Sequence, residues 1–155
     1  MFLDVKKVYA VQHDVLVTEQ LLNEMKADIV GDGSCGLLIL FDDTQSKILE
    51  KKADEQLDKI LQFLKVNKAS VSIFNTASRP FIDLPALLKV ARANRLLAFG
   101  VPAGKIGWTD KLAMNEYYEF SNLSVIKTHS LQHLADQPGE KKLLANALRA
   151  WLHLE

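Results

Sequence analysis

The sequence predicts an α/β protein: a three-layer α/β/α domain built around a mainly parallel, four-stranded sheet. Three observations carry this. Leu37 to Phe41, entered from Gly36, is an unbroken apolar run of the kind that is buried on both faces of a parallel sheet. Short apolar runs then alternate down the chain with segments of helical periodicity, the pattern of strands joined by covering helices. Finally, 155 residues at 48% hydrophobic content suit one domain with a core large enough to fold alone.

Taken in order, the first strand stops at Asp42 and Asp43, and Ile48, Leu49, Leu57, Ile60, Leu61 and Leu64 then recur at the spacing of an amphipathic helix over residues 47–64. Ala69 to Phe74 reads as the second strand. Asp83 is placed to cap a helix with Pro85 in its first turn and Leu84, Leu87, Leu88 and Ala91 inward. Leu96 to Phe99 is the third strand, ended by Gly100 and Pro102. Tyr117 to Phe120 reads as a short extended piece, and Ser124 to Lys127 as the fourth strand. Pro138 opens a helix with an apolar stripe of Leu144, Ala147, Leu148 and Trp151, so packing accounts for Trp151.

Residues 36–155 form the expected core. Residues 1–35 are an N-terminal extension packed on the sheet or a partner-binding arm: Val5 to Val17 is compatible with a strand, and Thr18 is placed to cap a helix from Glu19 to Ala27.

Nineteen basic and nineteen acidic residues cancel, which removes the long-range field that draws a dedicated nucleic-acid binder to phosphate. Direct nucleic-acid binding is therefore expected to be weak or absent. The single cysteine, Cys35, has no internal disulfide partner, and no apolar run approaches the ~20 residues of a membrane span. With charges at Asp4, Lys6 and Lys7 and no signal-peptide pattern, a cytoplasmic protein is expected.

Chemistry in an α/β protein gathers where strands end in polar turns. Gly31, Gly33 and Gly36 satisfy G-x-G-x-x-G, but they precede a strand instead of joining a strand to a helix, so a turn is the better reading than a dinucleotide site. Asp42, Asp43 and Thr44 end the first strand, and either orient a water or solvate the turn. His129 and His133 share a face if their segment is helical, but no third ligand accompanies them and no metal is expected. Ser130 lacks the G-x-S-x-G elbow of a nucleophile. His13 and His153 read as surface side chains.

With the strands placed, the chain resembles the uracil-DNA glycosylase superfamily, in a shortened form similar to the psi subunit of the bacterial DNA polymerase III holoenzyme. Three segments carry the resemblance: the Leu37–Phe41 strand with its turn and long helix; Leu96–Phe99 followed by Gly100-Val101-Pro102-Ala103, similar to a G-x-x-A turn; and Lys127-Thr128-His129-Ser130-Leu131 leading to Pro138 and its helix. Active glycosylases carry H-P-S-P-L at the third place. Counted back from Leu131, Lys127 stands where the resemblance puts the catalytic histidine, and Thr128 and Ser130 replace the two prolines; in another register His129 takes that role. Asp42-Asp43-Thr44-Gln45 replaces the glycine- and proline-bearing loop of the first motif.

What the resemblance implies is a non-catalytic protein-interaction subunit of DNA replication or repair, bridging clamp-loader and single-strand-binding components, with no cofactor. Tyr9, Trp108, Tyr117 and Tyr118 are the aromatic candidates for partner anchors. The alternative is a divergent DNA glycosylase or nucleoside-type hydrolase using Asp43 and His129, with Lys127 supplying charge. A structural homodimer is a third reading.

Overall fold

The structure, a computed structural model, describes residues 15–43, 51–77, 79–108 and 112–152. Tyr9, His13, Thr44, Ile48, Leu49 and His153, singled out in the sequence, lie outside these residues.

The central strand is β1 (Leu37–Phe41), and all five of its residues are buried. Alternate side chains serve two separate cores. Leu37, Ile39 and Phe41 pack with α2 (Lys51–Leu64), α4 (Leu131–Asp136) and α5 (Pro138–Leu152), through Leu57, Ile60, Leu61, Leu134, Leu144, Leu148 and Trp151. Leu38 and Leu40 pack on the opposite face with Met25 of α1 (Val15–Asp28) and with Leu84, Leu87, Leu88 and Ala91 of α3 (Leu84–Ala91). An apolar strand cannot leave either face to water, so helices cover the sheet on both sides. Each fully buried aliphatic side chain here is worth about 1.5–3 kcal/mol of transfer free energy.

The sheet order is β2-β1-β3-β5-β4, with β2 at Ser72–Asn75, β3 at Arg95–Phe99, β4 at Tyr117–Phe120 and β5 at Leu123–Thr128. Four strands are parallel, and β4 pairs antiparallel with β5, Tyr118 opposite Val125 and Glu119 opposite Ser124. The sheet therefore has five strands, one more than the four expected. The extended piece Tyr117 to Phe120 is the additional strand, a partly exposed edge strand containing Glu119, with no apolar run to mark it in the sequence. The sharp return to β5 is made at Ser121 and Asn122, with Ser121 at φ 49°.

Helix boundaries follow local chemistry. Asp83 accepts a hydrogen bond from the Ala86 backbone N–H at 3.1 Å and so caps α3, as its position before Leu84-Pro85 predicts. Asp54 and Asp58, one turn apart on α2, both pair with Lys68 just beyond that helix. The second strand is shorter than its apolar run, because Lys68–Ser70 forms a 3-10 turn capped by the Asn67 side chain.

Thr18 does not start a helix. It lies inside α1, whose opening residues include the β-branched Val15 and Val17 and therefore read as strand in isolation. This helix is held to the domain by Met25 in the second core and by an ion pair of 2.6 Å between Asp28 and Arg79. Val30 then exchanges two backbone hydrogen bonds with Ile73 and covers the outer edge of β2. That pairing depends on Gly31, at φ 97°, where a Cβ atom would stand 1.9 Å from the carbonyl oxygen of Val71. Gly31→Ala is expected to cost about 3 kcal/mol in urea titrations and to accelerate amide exchange at Ile73 as the edge cover detaches.

Candidate functional site

The chain leaves β1, passes to β2 on one side, and returns to β3 on the other, so the carboxyl ends of β1 and β3 form a topological switch point. The polar residues singled out in the sequence meet at this end of the sheet. Asp42 lies beside Lys105, whose Nζ is 3.4 Å from both carboxylate oxygens and donates to the Thr76 carbonyl at 3.1 Å. Both side chains are about 15% exposed (16% for Lys105, 15% for Asp42), so the pair is screened from solvent. Asp43 is clasped through its backbone: its N–H donates to Asn75 Oδ1, and Asn75 Nδ2 donates to its carbonyl, each at 3.1 Å.

At the end of β5, Thr128 is fully buried and donates from Oγ1 to Asn115 Oδ1 at 2.6 Å. Asn115 Nδ2 donates to Glu140 Oε2 at 3.0 Å, and the same oxygen lies 3.2 Å from His129 Nε2. His133 stacks at a tilt on His129, ring centroids 4.5 Å apart, although His129 precedes the helix that carries His133. Ser130 accepts from the His133 backbone N–H at 3.1 Å, so its hydroxyl oxygen caps α4. Gly100 brings β3 against this turn. At φ 63° it donates its N–H to the Thr128 carbonyl at 2.9 Å, and a Cβ there would lie 3.1 Å from three Ser130 atoms.

Asp43 and His129 follow β1 and β5, with β3 between, so their backbones stand two strand spacings apart, ~10 Å. His129 is gathered with Glu140, Asn115 and Thr128, while Lys127 alternates to the other face of β5 from Thr128. Lys105, Asn115 and Glu140 had no signal in the sequence, because nothing local marks a residue whose partner is tens of positions away.

A cavity of about 370 Å³ opens at the opposite end of the sheet. Its walls include Arg95 at the start of β3, Ser124 in β5, Tyr117 and Glu119 in β4, Cys35 and Trp151. Trp151 is 1% exposed and donates from Nε1 to Ser124 Oγ at 2.7 Å. Arg95 lies over the Trp151 ring at 5.8 Å and donates to the Cys35 carbonyl at 3.0 Å. The Tyr117 phenol is held above its ordinary pKa by burial and by the Glu119 carboxylate, partly offset by a hydrogen bond involving Ser124. Of the other aromatic candidates, Trp108 is half-buried against the second core, and Tyr118 is half-buried, accepts from the Ala113 N–H at 3.0 Å and stacks on Phe120.

Among the described residues no group of three or more His, Cys, Asp or Glu is arranged to hold a metal ion, and no helix is long and apolar enough to cross a membrane. No protein-family model matches this chain, and no match is found among curated proteins.

Two outcomes test this geometry. Asn115, at φ 60°, occupies a left-handed backbone position that asparagine tolerates, and Asn115→Ala leaves the buried Thr128 hydroxyl without its acceptor. A loss of about 2–3 kcal/mol in chemical denaturation is expected. Tyr117 binds its proton more tightly folded than unfolded, so its contribution to stability is complete below pH ~10 and falls as pH rises through the folded pKa. Denaturation midpoints measured across that alkaline range should decline less steeply for Tyr117→Phe than for the unaltered chain.

Proposed function

We infer that this chain is a non-catalytic protein-interaction module of DNA replication or repair, on a degenerate uracil-DNA glycosylase-like fold similar to the psi subunit. The observation that carries the reading is the internal engagement of the polar groups at the switch point. Asp42 is neutralised by Lys105, His129 is gathered with Glu140, and Ser130 caps α4. Base excision requires a water-positioning acid and a group that stabilises the departing base to converge on one nucleotide. Here the strands that deliver Asp43 and His129 are separated by β3, the Asp43 backbone is tied to Asn75, and the His129 imidazole lies against Glu140.

The balance of charge supports the same reading, since a bridging subunit needs no phosphate-attracting field. Half-buried Trp108, Tyr117 and Tyr118 remain the anchor candidates within the described residues.

Two measurements decide. Purified with a tag from its native cell, the protein is expected to bring clamp-loader or single-strand-binding components, and their absence counts against the replication assignment. Incubated with uracil-containing single- or double-stranded DNA, it is expected to release no base; release that disappears in Asp43→Ala would replace this reading with a hydrolase.

A further inference from the structure

Arg95, Ser124 and Glu119 occupy one register row across β3, β5 and β4, on the same face of the sheet. Arg95 has no carboxylate partner and Glu119 no cationic partner among the described residues. Opposite charges only two strands apart would ordinarily close on each other. Here the guanidinium is drawn back by the Cys35 carbonyl and the Trp151 ring, while Ser124 between them is tied to the Trp151 indole. Glu119 is steadied by the Tyr117 hydroxyl, which donates to Oε2 at 3.4 Å. The result is a cavity of about 370 Å³, within the range of small-molecule sites, with a cationic wall and an anionic wall already held apart.

We propose that this cavity binds a small peptide-like zwitterion, its carboxylate against Arg95 and its ammonium against Glu119. A guanidinium presents paired donors that match a carboxylate, and the exposed Glu119 accepts from an amine. The Tyr117 and Ser124 hydroxyls line the space between. A free amino acid and a dipeptide share this chemistry and differ in reach, ~3.5 Å against ~7 Å of backbone. The site lies at the other end of the sheet from the switch point and does not depend on the function proposed above.

The test is a titration of the isotopically labelled full chain with millimolar alanine, alanylalanine, and alanylalanine bearing either an N-acetyl or a C-terminal amide cap, followed by NMR. Saturable shifts are expected at the amides of Arg95, Glu119 and Ser124 and at the Trp151 indole, with at least one zwitterion. Capping either end should weaken binding by at least about tenfold, the loss of one charge-assisted contact. Glu119→Gln, at an exposed position, should reproduce the effect of the N-acetyl cap while leaving the unfolding midpoint unchanged. The relative affinities of alanine and alanylalanine then fix the length of ligand the cavity takes. No saturable shift at these four positions, equal affinity for capped and free forms, or unaltered affinity in Glu119→Gln overturns the proposal.

Discussion

Burial of β1 on both faces governs this molecule. An apolar strand with no solvent side demands a strand neighbour on each edge and helices above and below, and β2, β3 and the two helical layers meet that demand. Because the chain must cross from one side of β1 to the other, a switch point forms at the strand ends. Asp42, Gly100 and His129 reach that end of the sheet for this reason, whatever their chemistry.

The two ends of the sheet are finished differently. At the carboxyl ends, Lys105, Asn75, Asn115 and Glu140 engage Asp42, Asp43, Thr128 and His129 respectively, groups in or just after the strands, and these bonds hold the turns together. Unpaired polar groups in such a place would be costly, and these bonds offset that cost. At the amino ends, the Trp151 indole and the Cys35 carbonyl hold Arg95 and Ser124 in position without consuming the Arg95 charge.

Much of the framework is legible in the sequence because its signals are local. The apolar run of β1, the Asp83 cap with Pro85 behind it, and the Leu144, Ala147, Leu148 and Trp151 stripe each lie within a few residues and appear as read. The signals fail where two local preferences compete or where only distance in sequence separates partners. Val15 and Val17 read as strand yet stand in α1, whose packing overrides their propensity. Strand β4 lacks an apolar run because only its pairing with β5 makes it a strand. The bonds of Lys105 to Asp42 and Asn115 to Glu140, and the cavity between Arg95 and Glu119, are made by register and topology, which no short window contains.

The β4–β5 hairpin has a temporal corollary. Tyr118 meets Val125 across a tight turn at little loop-closure cost, whereas Leu38 reaches Leu96 only after α2, β2 and α3 have been threaded between them. The ribbon at the rim can close in microseconds, while the middle of the sheet waits on distant segments. During that interval the greasiest strand stays uncovered, so a crowded nascent pool of this chain is most vulnerable to clumping through its own future centre.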